Sequence, residues 1–370
     1  MINIVKPFLP KKKDFNLIIN EIWSRNYLTN NGPVIRDYEV KLGNFLRTAT
    51  PCVVSNGTVA LQFAIRALKL KGEVITTPFS YVASTSSLVW EQCKPVFVDI
   101  DENTFNIDAK KIEERITSKT SGILVTHTFG NPCEIEQIDK IAKQYNLKVI
   151  YDASHCFGTM YKGKSIFNYG DISTLSLHAT KLVHMVEGGA IFSNNDKHLK
   201  DTQFMRNFGH DGPEEYRGVG INGKNSEIHA AMGQAVLPYA NDILKKRKED
   251  YMYYVERLSG LNLTMQQLNP EGVSNFSYFP IKFEKEQDLL KTVKLFELNN
   301  IFAKRYFYPS LSKLHYLTPQ ILPIVESTSK RILCLPIFFD MKREEQDFIC
   351  NTLCESLANK MIPFKIDTKH

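Results

Sequence analysis

The sequence predicts an α/β protein: a mostly parallel central sheet between helical layers, a three-layer α/β/α domain, then a smaller C-terminal α+β domain. The basis is periodicity. From about Cys52 to Phe192, short runs rich in β-branched residues alternate with amphipathic runs whose apolar residues recur three or four apart, the pattern of parallel strands joined by crossover helices. After Phe192 that alternation stops, and long helical stretches with isolated strands take over. A chain of 370 residues can bury a large core and accommodates two domains. We divide it into residues 1–240, including an N-terminal arm, and residues 241–370.

Strand candidates in the first part are CVVS (52–55), EVITT (73–77), PVFVD (95–99), GILVT (122–126), KVIYD (148–152) and ISTLSL (172–177). Helical runs lie between them, starting at Thr58, Asp108 and Glu134. The long stretch SEIHAAMGQAVLPYANDILKKRKEDYMYYVERL is interrupted by Pro238, which lacks an N–H and crowds the preceding turn, so it kinks or splits the helix. FSYFPIKF and RILCLPIFF supply short strands, with helices around 286–299 and 343–358.

Composition excludes several classes. The 43% apolar and 23% charged residues are those of an ordinary globular chain. A net charge of +6 is too diffuse to argue for nucleic acid. No apolar window approaches the ~20 residues that a membrane helix needs, and the N-terminus lacks a signal-peptide layout. Seven scattered cysteines, none in a CxxC pair, fit reduced thiols in the cytoplasm and nominate no metal site.

In open α/β sheets, ligands bind beyond the carboxyl ends of the strands. Asn56-Gly57-Thr58 turns from a strand into a helix. It is either an ordinary turn capped by Thr58 or an anion site at a helix N-terminus. Tyr81, just past a strand, either packs the sheet edge or meets a ring. Asp152 ends a strand, with His155 three residues on; an acid there either caps its own turn or answers a cationic partner. Ser176 precedes Lys181, which stands inside SLHATKLVHMVEGGAIF. Burial disfavours the ammonium form, so a lysine in apolar sequence can serve as an amine nucleophile. Together these groups meet the needs of pyridoxal 5′-phosphate: a phosphate to hold, a ring to sandwich, a pyridine nitrogen to protonate and an aldehyde for lysine.

The segments VSNGTVALQFAIRAL, TTPFSYVAST, VFVDID, VTHTFGNP, YDASHCFGT, SLHATKLVHMVEGGAIFSNND and GINGKNSEIHAAMG resemble the DegT/DnrJ/EryC1/StrS family of PLP-dependent nucleotide-sugar aminotransferases, over nearly the whole chain. The resemblance implies the fold-type I aminotransferase architecture. IWSRNYLTNNGP, GEVITTPFSYVAST and RYFYPSL look most like the branch that forms dTDP-4-amino-4,6-dideoxyglucose from dTDP-4-keto-6-deoxyglucose for surface polysaccharide such as O-antigen.

By matched positions, Lys181 would be the Schiff-base lysine and Asp152 the partner of the pyridinium nitrogen, the two catalytic residues. His155 would sit near the ring hydroxyl and Tyr81 on the ring. Gly57, Thr58 and Ser176 would hold the phosphate, and Asn222 would reach it from the neighbouring subunit of a homodimer. L-glutamate would be the amino donor, with pyridoxamine 5′-phosphate as the intermediate form of the cofactor. Related sugar 3-dehydratases carry His in place of the lysine, so Lys181 argues for transamination. Leu177, Tyr81, His184 and Asn225 depart from the family's usual letters. Asn30 in LTNNGP and Lys304, Arg305, Tyr306 and Tyr308 in KRYFYP either meet the nucleotide sugar or pack between domains. His315 and Arg206 are unassigned.

Overall fold

The computed structural model describes residues 1–358; residues 359–370 of the expected C-terminal domain lie outside the described residues. Its centre is a seven-stranded sheet ordered Cys52–Val54, Gly189–Phe192, Ile172–Ser176, Lys148–Asp152, Thr120–Thr126, Glu73–Thr76, Lys94–Phe97. All strands run parallel except Gly189–Phe192, which is antiparallel to both neighbours. The six expected strands are present, shifted at most by two residues. Gly189–Phe192 is an addition to the six, because the glycine pair at its start, Gly188-Gly189, resembles a loop.

Side chains alternate across the sheet, as the two-residue period of a strand requires. Ile75, Ile123, Val125, Val149, Tyr151 and Leu175 face one apolar layer, whereas Val74, Leu124, Ile150, Ile172 and Ile191 face the other. The first layer is closed by α1 (Lys12–Arg25), α2 (Pro33–Leu46) and α5 (Ile135–Gln144). The second is closed by α3 (Gly57–Ala67), through Ala60, Leu61, Phe63 and Ala64. With both faces covered, the carboxyl end of the strands is left open to a ligand.

α1 and α2 were not read from the sequence, nor were α4 (Val82–Trp90) and α6 (Asp196–Met205). The run from Asp108 is not an α-helix. It forms two single 3-10 turns, Ala109–Lys111 and Glu113–Arg115, and Ile116 is already extended. Pro238 splits its helix as expected: α7 (Glu227–Val236) and α8 (Ala240–Leu258) are separated by the 3-10 turn Leu237–Tyr239.

Beyond α8, Leu263–Met265, Phe279–Phe283 and Ile332–Leu335 form an antiparallel three-stranded sheet. α9 (Glu286–Leu298), α10 (Pro323–Arg331) and α11 (Arg343–Leu357) accompany it. Its core joins Phe279, Ile281, Phe283, Leu333 and Leu335 to Tyr254 of α8 and Ile349 of α11. Among the described residues no helix is long and apolar enough to cross a membrane. All seven cysteines are free thiols, and only Cys354 is exposed.

Candidate active site

The register of three adjacent parallel strands sets the floor of the site. Thr126 pairs with Asp152, and Asp152 with Thr174, two residues before Ser176. Asp152 is buried and bonded at both oxygens: Oδ2 accepts from Ser84 Oγ at 2.6 Å, and Oδ1 from the Ser154 amide at 3.1 Å. Ser84 Oγ also meets Ser80 Oγ at 2.8 Å, which meets Thr126 Oγ1 at 2.7 Å. The hydroxyl chain therefore ends on the carboxylate and holds it at the strand end.

The strand Cys52–Val54 leads into α3, whose N-terminus forms one wall. Asn56, not Thr58, is the cap: its Oδ1 accepts from the Val59 amide at 2.9 Å. Thr58 is the second residue of the helix, and Gly57 and Thr58 line the cavity at the helix N-terminus. Gly57 permits a close approach, since a Cβ there would stand 3.1 Å from Ser176 Cβ, tighter than an ordinary contact.

Lys181 sits on the loop between Ser176 and Gly189. Leu177, Leu182, Val183 and Met185 are buried anchors of that loop, and backbone bonds from Leu177 to Gly188 and from Met185 to Leu177 close its base. The apolar residues of the motif thus hold the loop, leaving the lysine to face the cavity. Part of its surface is open there, yet the surrounding protein lowers its pKa to about 8 by burial, a pull that Asp152 only partly offsets. Its Nζ lies 3.4 Å from Tyr278 Oη.

The cavity, about 500 Å³, is lined by Gly57, Thr58, Tyr81, Asp152, His155, Ser176, Lys181, Tyr278 and Tyr306. His155 is buried, not a surface residue, and its Nδ1 has no partner. Burial, then the nearby Lys181, push its pKa well below the ordinary imidazole value, so the ring is neutral. Tyr81 caps the start of α4 and is 60% exposed, which puts it at the mouth. A helix N-terminus with a serine hydroxyl, a carboxylate, an unpartnered buried imidazole nitrogen and a deprotonatable amine fit pyridoxal 5′-phosphate.

Other predicted residues fall elsewhere. Arg305 is paired with Glu286 at 2.8 Å and lies 3.7 Å over the Tyr308 ring, with its Nε unpartnered, and neither Arg305 nor Tyr308 is among the residues that line the cavity. Lys304 exchanges backbone hydrogen bonds with Cys334. Asn30 lines a separate groove with Asn31, Arg206 and Lys224. Asn222 bridges to Asn207 on the exposed side, off the cavity of its own chain. Arg206 is structural, buried against Glu39 and Val53. His315 is exposed against Tyr316. Two departures from the family letters have local reasons: His184 Nε2 meets Phe8 O at 2.7 Å, and Asn225 Nδ2 donates to Glu187 O at 2.8 Å. Both fasten the lysine loop.

Sequence reasoning missed Ser80, Ser84 and Tyr278. The i, i+4 spacing of the two serines in FSYVAS was the available signal for the first pair. Nothing local pointed to Tyr278, which arrives from more than 90 residues downstream of Lys181.

Residues 10–354 match the family model described as the DegT/DnrJ/EryC1/StrS aminotransferase family. The dTDP-4-amino-4,6-dideoxy-D-glucose transaminase of Shigella dysenteriae is 40% identical over 364 residues, 95% of this chain and 98% of that protein. GDP-perosamine synthase of Escherichia coli O157:H7 is 31% identical over 369 residues, 95% of this chain and 96% of that protein. The crystal structure of DesI in the presence of its TDP-sugar product is similar with a TM-score of 0.90 and 25% identity, covering 95% of this chain and 92% of that one.

Proposed function

The chain belongs to the DegT/DnrJ/EryC1/StrS aminotransferase family and is a PLP-dependent nucleotide-sugar aminotransferase; we propose that it moves the amino group of L-glutamate to C4 of dTDP-4-keto-6-deoxy-D-glucose. The product would be dTDP-4-amino-4,6-dideoxy-D-glucose, a precursor for surface polysaccharide. The observation that carries the chemistry is Lys181, an amine of lowered pKa facing the same cavity as Asp152. The sugar assignment is supported by the 40% identity to a transaminase named for that product.

When bound, pyridoxal phosphate supplies a carbonyl that takes up amines and a protonated ring that accepts electrons as the donor's α-proton leaves. Lys181 Nζ, near pKa 8, has free base available at neutral pH to take that proton and return it on the sugar carbon. Asp152, fixed by Ser84 and Ser154, keeps a proton on the ring nitrogen. His155, neutral, offers Nδ1 to the ring hydroxyl. The α3 N-terminus at Gly57 and Thr58, with Ser176, holds the phosphate dianion. Tyr81, at the mouth, would cover the ring, and Tyr306, lining the same cavity, would face the substrate. Asn222, off its own cavity, would complete the phosphate site of a second copy in a homodimer. Free thiols fit a cytoplasmic enzyme.

The test is a product assay. Purified protein, glutamate and pyridoxal phosphate are incubated in turn with dTDP-4-keto-6-deoxyglucose, a GDP-4-keto sugar and a dTDP-3-keto sugar. The new amine is located by NMR. A C4 amine formed fastest on the dTDP substrate supports the assignment; faster turnover of either other sugar replaces it.

A further inference from the structure

We propose that Tyr278 is a positioning residue for Lys181, its phenol oxygen holding the lysine nitrogen toward the cavity in both of that nitrogen's protonation states. This rests on the role given above to Lys181. Among the described residues, Tyr278 Oη is the hydrogen-bond partner of Lys181 Nζ, at 3.4 Å, and contacts of this kind are often long before substrate binds. A phenol suits the task because it accepts from an ammonium and donates to a neutral amine. Burial pushes the Tyr278 phenol up, so it keeps the proton that it must offer.

The tyrosine is itself held. Its ring centroid lies 4.7 Å from that of His155 and 5.5 Å from that of Phe129. The residues before it form a clasp on the turn that follows Asp152. Asn275 Nδ2 donates to His155 O at 2.7 Å and to Phe157 O at 2.9 Å, and Ser277 Oγ donates to His155 O at 3.1 Å. The clasp depends on Gly130, where a Cβ would come within 2.5 Å of Asn275 Oδ1. The backbone that carries His155 thereby also places Tyr278, and the carboxylate, the imidazole and the phenol are fixed in one frame. Arg247, buried with its Nε unpartnered, lines the same small cavity as Lys181 and Tyr278. A guanidinium offers the lysine no acceptor, and the partner that Lys181 Nζ has is the Tyr278 phenol.

Tyr278→Phe keeps the ring contacts and removes only the oxygen. Lys181 titrates facing Asp152, His155, Cys156, Tyr81 and Arg247, none of which changes in this variant. Because a hydrogen bond to the ammonium is stronger than one to the neutral amine, losing the phenol should move the Lys181 midpoint below that of the wild-type chain. That midpoint is read in the full-length cofactor-free chain by pH-dependent acylation of Lys181 with mass spectrometry, and in the holoenzyme by the pH titration of the cofactor's absorbance. The donor half-reaction should slow about tenfold, with KM for the nucleotide sugar within about twofold. Lys181→Ala is the control. If it retains turnover, the role of Lys181 fails. If it is inactive while Tyr278→Phe matches wild type in both titrations and in rate, Tyr278 has no positioning role. A rise in KM alone would assign the phenol to substrate binding and also overturn the proposal.

Discussion

Ser84 Oγ donates to Asp152 Oδ2 at 2.6 Å, the last link of the hydroxyl chain Thr126–Ser80–Ser84. The chain points one carboxylate oxygen into protein and, with the Ser154 amide on the other, restricts how Asp152 can meet a ring nitrogen. Asp152→Asn should lower kcat about a thousandfold, ~4 kcal/mol of barrier, because an amide cannot balance a protonated ring. Ser84→Ala should cost about tenfold, the weight of one hydrogen bond to a charged group. Single-turnover rates with glutamate measure both; a loss under about twofold for Asp152→Asn would remove the carboxylate from its assigned role.

Lys181 carries a stability cost with a definite pH signature. Its pKa is about 8 in the folded chain against 10.5 for an ordinary lysine, because burial outweighs the attraction of Asp152. Below pH 8 both folded and unfolded chains bind the proton, and the penalty for burying it is fully present. Between 8 and 10.5 only the unfolded chain binds it, so stability rises with pH. Cofactor-free Lys181→Met should therefore unfold at higher urea than wild type at pH 7, and the difference should vanish near pH 10.5. Equal midpoints at pH 7 would mean the ammonium is not penalised.

Most of the sheet and several cavity residues were legible in the sequence because both rest on local pattern. Val149, Ile150 and Tyr151 announce a strand buried on both faces, and Asp152 at its end is where an α/β sheet exposes chemistry. Tyr278 was not legible, because its contact with Lys181 depends on a clasp between Asn275 and the His155 turn that no periodicity encodes. Arg305 shows the converse. Its residue type suggests a diphosphate contact, and only the structure shows it beside Glu286 and the Tyr308 ring, outside the lining of the cavity. Gly189 looked like part of a turn and is a strand residue, since sequence alone cannot tell a flexible glycine from one required by a close neighbour.

Glu39 and Arg206 form a buried ion pair whose loss should be felt as stability, not chemistry. Their side chains are 7% and 5% exposed. Glu39 Oε1 also accepts from the Val53 amide at 2.8 Å, while Arg206 donates to Val53 O at 2.6 Å and to Asn31 Oδ1 at 2.9 Å. Removing one partner leaves the other charge buried, so Glu39→Ala should cost about 3–5 kcal/mol in urea unfolding. The kcat per folded molecule should stay unchanged, because neither residue lines the cavity. A loss of kcat without a loss of stability would contradict this division.

Gly189 is required by the approach of a helix start, not by an unusual backbone angle. It pairs with Val54 on one side and Ser176 on the other, and an added Cβ would stand 2.4 Å from Asn56 O and 2.8 Å from the Gly57 amide nitrogen. Both atoms are backbone, and both belong to the turn that caps α3, so the collision cannot be relieved by rotating a side chain. Relief must come from moving the Asn56-Gly57 turn away from Ser176, which separates the groups assigned to the phosphate. Gly189→Ala should weaken pyridoxal phosphate binding by at least about tenfold, ~1.4 kcal/mol, while leaving the circular dichroism of the sheet in place. Gly218→Ala is the matching control, since nothing lies within 4 Å of a Cβ there. Equal cofactor affinity in the two variants, measured by fluorescence titration, would show that the α3 turn does not set phosphate binding.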